Sequence, residues 1–245
     1  MAVMTTDPKT LVLAFAGGII PALLWLWFWL KQEENKPEPK GVLALVFFMG
    51  ILAVIFVLPI QKYIQGAIDS RNLELVLFAT AEELLKYVAV LVILFRTNFI
   101  DEPIDWPIYM ITAALGFAAL ENTLFLIKPL AAGTTTVSLL AGGLRFLGAN
   151  LLHTVASGIL GIALGISLHM GSFRKKLYLF MGFVFAVALH SAFNFFIIRN
   201  EGNDFLKVFA FLWVVTIIVM LLFEKVRRMS AQSGSAHQSE TLRVE

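Results

Sequence analysis

Residues 73–95 read LELVLFATAEELLKYVAVLVILF. At 1.5 Å per residue this stretch is long enough to cross a bilayer core of about 30 Å as a helix. Its centre, Ala81-Glu82-Glu83-Leu84-Leu85-Lys86-Tyr87, carries three ionisable side chains where lipid would want none. Each charge near mid-bilayer costs about 2.5–3.5 kcal/mol on insertion scales. Such groups persist only when they face other helices, so a single polar-centred span already implies a bundle around it. The three apolar stretches that follow repeat the pattern: Glu121 and Asn122, then His153, then His190 and Asn194. The expectation is an all-α polytopic transmembrane bundle whose interior polar cluster works as an intramembrane enzyme.

Composition agrees. The chain has 245 residues, 59% hydrophobic and 15% charged, with mean hydropathy +0.83. Soluble domains sit near 45–50% apolar and 25% charged. A net charge of +2 gives no reason to expect nucleic acid as a partner. The absence of cysteine excludes disulfides, thiol nucleophiles and cysteine-ligated metals. The first apolar run lacks a basic leader and a small-residue cleavage site, so it reads as a retained span.

Seven stretches have the length and polarity of spans: Leu11–Leu30, Val42–Ile60, Leu73–Phe95, Ile108–Ile127, Val137–Met170, Leu177–Ile198 and Phe205–Phe223. QKYIQGAIDSR and the other polar strings between them read as loops. Asp105 with Pro107 marks a helix start. The fifth stretch is too long for one crossing. Gly142 and Gly143 are expected to divide an interfacial piece from a span over about Leu144–Met170, which leaves an eighth segment open. Residues 1–72 thus hold two helices, 73–198 a four-helix core, 199–224 a last span and 225–245 a polar tail read as disordered. Lys and Arg are more frequent in the loops after segments 1, 3 and 5 and in the tail, which predicts an outside N-terminus and a cytoplasmic C-terminus. Glu82, Glu121, His153 and His190 then all fall roughly 9–14 Å below one surface, a shared layer in the outer half of the membrane.

Glu82 and Lys86 are spaced i,i+4 and Glu83 points about 100° away. One carboxylate can be held by Lys86 while the other faces a cavity as general base, and the lysine's i,i+4 relation favours Glu82 as the base. Phe117 and Glu121 share a face of the fourth helix, and Asn122 can hydrogen-bond across helices. His190 and Asn194 share a face of the sixth and are expected to donate to an oxyanion. His153 would position water. Alternatively His153, His190 and a glutamate (Glu121 or Glu82) bind Zn²⁺; the reading without a cofactor is preferred because no compact ligand motif is visible. Arg145 would snorkel or meet a substrate carboxylate. His169 and His237 lie beside or in polar segments and are set aside. Gly158, Gly161 and Gly165 form a small-residue packing face, and Trp25, Trp27 and Trp29 an interfacial belt. The rival from another class is a proton-coupled transporter, which needs polar residues through the full thickness rather than in one layer.

The ordered set Glu82-Glu83-x-x-Lys86, Phe117-x-x-x-Glu121, His153 and His190-x-x-x-Asn194 resembles the PrsW family of intramembrane proteases, a branch of the CPBP superfamily that includes the CAAX prenyl endopeptidases. Prenyl-protein enzymes typically show E-E-x-x-x-R and F-x-x-x-H, so the resemblance is to the PrsW branch. It implies a CPBP-type four-helix catalytic core and hydrolysis of a peptide bond in a membrane-embedded protein substrate, such as a membrane-anchored anti-sigma factor cut on the extracytoplasmic side.

Overall fold

The computed structural model describes residues 7–32, 36–95, 99–133, 135–199 and 205–241, with side chains described for 7–32, 36–95, 99–133, 148–196 and 206–231. Seven helices follow in order: α1 (Pro8–Leu30), α2 (Lys40–Ala67), α3 (Arg71–Leu94), α4 (Asp105–Ala131), α5 (Thr135–Ile166), α6 (Ser172–Arg199) and α7 (Phe205–Thr241). Six are long and apolar enough to cross a membrane. The exception is α3, long enough but charged at Arg71, Glu74, Glu82, Glu83 and Lys86. The protein is a multi-pass helical membrane protein.

Helix α4 is the centre. Every side chain from Pro107 to Ala119 is buried, flanked by α1, α2 and α5. Its run of Ala113, Ala114, Gly116, Ala118 and Ala119 explains why: small side chains let several backbones approach at once, the packing that membrane helices use in place of a hydrophobic driving force. At the α2–α4 crossing a Cβ on Gly50 would overlap the carbonyl oxygen of Ala113, and one on Gly116 that of Phe47. Helix α3 lies against α2 and α6 and also meets α4 and α5, so its charged centre is enclosed. By contrast, Val12, Phe56, Val92, Phe180 and Leu221 point outward, as lipid-facing residues should.

Several sequence expectations are corrected. α2 runs through Pro59 to Ala67, so the first seven residues of the string beginning at Gln61 are helix and only Ile68, Asp69 and Ser70 connect it to α3; Gln61 and its neighbours ride on the end of a helix, where water or other side chains can meet them. α5 is continuous from Thr135 to Ile166, so Gly142 and Gly143 do not divide it and no eighth segment is needed. Glycine is tolerated inside a helix when packing compensates its propensity cost. α7 continues to Thr241, beyond Lys225, where disorder was expected. Glu224 pairs with Arg227 at 2.6 Å and Arg228 at 2.8 Å, and Val226 and Ser230 are buried. Of Trp25, Trp27 and Trp29 only Trp27 is exposed; Trp29 is buried, its ring 5.0 Å from that of Phe223. The small face of α5 is used as expected: a Cβ on Gly161 would meet the Pro107 backbone at 2.6 Å.

The predicted start of α4 is present. Asp105 Oδ2 accepts the N–H groups of Asp101 at 2.9 Å and Glu102 at 2.7 Å, and the Tyr109 hydroxyl donates to Glu38. This buried polar group lies roughly 24 Å along α4 from Glu121.

Candidate active site

The four expected helices bring their polar residues together. The Lys86 ammonium is fully buried and donates to Glu83 Oε1 at 2.7 Å. It also lies 2.7 Å from His153 Nδ1 and 4.5 Å from the centre of the Phe117 ring. An ammonium only donates, so His153 accepts at Nδ1 and carries its ring proton at Nε2. That nitrogen is 2.7 Å from Glu121 Oε2, which it therefore faces as a donor. Phe117 packs on the His153 ring at 5.4 Å and completes the apolar side of the pocket.

The two adjacent glutamates have different surroundings. Glu83 is wholly satisfied. Oε1 takes Lys86 and lies 2.8 Å from His190 Nδ1, and Oε2 accepts the Ser157 hydroxyl at 2.7 Å. Glu82 is held at one oxygen only: Gln61 Nε2 donates to Oε1 at 2.9 Å. Its Oε2 is buried without a hydrogen-bond partner, 3.5 Å from His190 Nε2 and 4.0 Å from Lys86 Nζ. Lys86 therefore holds Glu83, not Glu82, which corrects the reason for favouring Glu82 while leaving it the carboxylate that faces the cavity. In the neutral imidazole that gives its Nδ1 proton to Glu83, His190 Nε2 presents a lone pair. Two acceptors then confront each other across 3.5 Å.

Asn122 is buried, and its Nδ2 has no partner. Asn194 is half-buried one turn beyond His190 and makes no hydrogen bond among the described residues. Arg145 lies outside the described side chains. Gln61 and Ser157 were missed by the sequence reading. Ser157 had a signal, being one turn from His153 on the same face of α5. Gln61 had none, because its string read as a loop.

Glu82, His153 and His190 can each present a ligand atom with all three atoms within 4.8 Å of one another. Tetrahedral zinc with bonds of about 2.0–2.1 Å sets its ligand atoms about 3.3 Å apart. The facing pair at 3.5 Å meets that spacing, and two histidines with a carboxylate are a known catalytic zinc set. The residues therefore fit the ion, with the condition that His153 exchange its contact with Lys86 or Glu121 for it.

Known proteins are similar to this chain over most of its length. Protease PrsW of Oceanobacillus iheyensis is 28% identical over 84% of this chain and 92% of its own. That of Geobacillus kaustophilus is 26% identical over 76% and 80%, and that of Bacillus subtilis 26% over 81% and 89%. No solved structure gives a significant match. The profile described as PrsW family intramembrane metalloprotease matches residues 38–223, a segment that holds every residue of the cluster, and the chain is accordingly a protease of the PrsW family.

Proposed function

We propose that this protease cuts a peptide bond of a membrane-anchored protein, of the anti-sigma-factor type, with Glu82 as the general base. The observation that carries the assignment is the free Oε2 of Glu82, buried and facing the His190 Nε2 lone pair at 3.5 Å. Two acceptors so placed call for a hydrogen donor or a cation between them, and a water molecule gives each a hydrogen. Its oxygen lone pair is then directed away from both, toward a scissile carbonyl carbon. Glu82 removes one water proton as the carbon–oxygen bond forms. The same proton passes to the departing amine nitrogen when the carbon–nitrogen bond breaks. General base catalysis of this kind supplies about 10²–10⁴-fold.

Glu83, Lys86 and Ser157 hold the imidazole of His190 in the tautomer that accepts at Nε2. The ring proton of His153 is held toward Glu121. In this tautomer His190 accepts at Nε2 and takes the water-orienting role in place of the oxyanion donation expected from sequence. A zinc ion held by Glu82, His153 and His190 would supply Lewis acidity and a bound water of lowered pKa.

A proton path is disfavoured by the middle of α4. From Met110 to Leu120 its only polar side chain is Thr112, whose hydroxyl donates to the Ile108 carbonyl at 2.8 Å.

The test is cleavage of single-span membrane proteins by the purified protein in liposomes. Cleavage is expected from wild type and lost in Glu82→Gln and His190→Ala. Cleavage surviving in Glu82→Ala, Glu83→Ala, His153→Ala and His190→Ala alike removes the proposal. Metal analysis with chelator treatment separates the two uses of Glu82: chelator-resistant activity without bound zinc assigns it as the base.

A further inference from the structure

A cavity of about 200 Å³ opens between α2, α3 and α4 directly beside Glu82. It is smaller than the roughly 300–1,000 Å³ typical of sites for whole small molecules, so its size suits a single side chain. Val57 and Phe117 line it from buried positions, in one apolar cluster. Leu58 and Leu124 line it from exposed positions, on the outward faces of α2 and α4. The opening is therefore apolar and faces the lipid. One end of the cavity is polar: Gln61, Glu82, Glu121 and Asn122 line it, and the buried Nδ2 of Asn122 has no partner.

We propose that this cavity binds the apolar side chain of the substrate residue next to the scissile bond, with the Asn122 amide donating to that residue's backbone carbonyl. The proposal rests on the assignment of Glu82. Its occupant follows from three features. The rim offers lipid-exposed apolar side chains, so a spanning substrate can slide in sideways without burying charge. Away from its polar end the lining is apolar, from Val54, Val57, Leu58, Phe117, Leu124 and Phe125, and the space is of side-chain size. Moreover, a substrate helix must unwind to be cut, and its freed backbone groups need partners in a medium that has none; Asn122 has a buried donor to give. Gln61 acts here as a positioning residue, since its amide fixes Glu82 Oε1 and turns Oε2 toward the bound peptide.

The test uses synthetic single-span peptides of mixed Leu and Ala, reconstituted with the full-length protein, with cut sites read by mass spectrometry. Wild type is expected to prefer Leu over Ala at one position beside the cut. Val57→Phe fills the cavity and should lower the Leu-to-Ala ratio of kcat/KM at that position at least tenfold, within the roughly 10–200-fold range that one methylene commands in a pocket. Val57→Ala enlarges it and should move the ratio the other way. A photo-crosslinking residue at Leu58, placed in the Glu82→Gln protein, should capture the peptide, and one at the outward-facing Val12 of α1 should not. An unchanged preference in both folded Val57 variants, or capture at Val12 equal to that at Leu58, overturns the proposal. Capture confined to Leu58 with no cleavage by wild type supports the cavity as a peptide site and overturns the catalytic reading instead.

Discussion

At the scale of single residues, two neighbouring glutamates divide structure from chemistry. Glu83 is saturated by Lys86, Ser157 and His190; Glu82 keeps one oxygen open. Glu82→Gln is therefore expected to lower cleavage by about 10²–10⁴-fold and leave the thermal unfolding midpoint near that of wild type. Lys86→Met does the opposite kind of damage. It leaves a buried carboxylate without its cation, a change of about 3–5 kcal/mol, seen as a large fall in that midpoint. Adding Glu83→Gln removes the orphaned charge, so the double variant should regain most of the stability and none of the activity; a midpoint as low as that of the single variant would show that Lys86 does not act through Glu83. The sequence made much of this legible, because charge in an apolar span is costly enough to announce itself. Which glutamate Lys86 grips was not legible. Both i,i+3 and i,i+4 are reachable on a helix, and the choice falls to His190 and Ser157, which come from other helices.

At the scale of elements, helix identity was written in hydropathy and helix ends were not. Gln61 shows the cost: ending α2 at Ile60 hid the side chain that holds Glu82. A polar residue on a helix end looks the same whether it meets water or a buried carboxylate. The α2–α4 crossing was equally silent, since a lone glycine in an apolar span carries no signal until its neighbour is known. Gly50 and Gly116 each face a backbone carbonyl of the other helix, so the two helices cannot separate at one point without losing the contact at the other. Gly50→Val is expected to push α2 from α4, because the added carbon meets backbone that cannot turn aside. Overpacking of this sort costs about 1–3 kcal/mol or more. Since the crossing supports both Gln61 and the wall of the cavity, activity should fall with stability. A Gly50→Val protein with wild-type unfolding midpoint and wild-type cleavage would mean that the helices are not so closely apposed.

At the scale of the molecule, three contacts argue for a seventh crossing beside the six apolar spans. Lys36 pairs with Asp101, which joins the segment after α1 to the segment after α3. Tyr109 donates to Glu38, and the N–H of Ile104 donates to Ser230 Oγ at 3.0 Å. The ends of α1, α3 and α7 and the start of α4 thus share one face. For α2 to leave that face and α3 to return to it, α3 must cross, although Glu82, Glu83 and Lys86 at its centre set it apart from the six apolar spans. Seven crossings would set the two ends of the chain on opposite sides. Lys and Arg are enriched on the face that carries Lys36 and Lys225, which predicts that this face is cytoplasmic. Glu121, Gln61 and His190 each lie in the half of their helix that is farther from it, so the cluster is predicted nearer the extracytoplasmic side. The chain has no cysteine, so single cysteines can report both points without background. In intact cells a membrane-impermeant maleimide should label Asp7→Cys and the exposed Tyr63→Cys, and should reach Lys225→Cys only after the membrane is opened. Labelling of residues 7 and 225 from the same side would mean that α3 does not cross, and with it the shared depth of the glutamates and histidines would fail. Labelling of residue 225 alone would reverse the orientation and turn the cluster toward the cytoplasm, leaving its internal geometry intact.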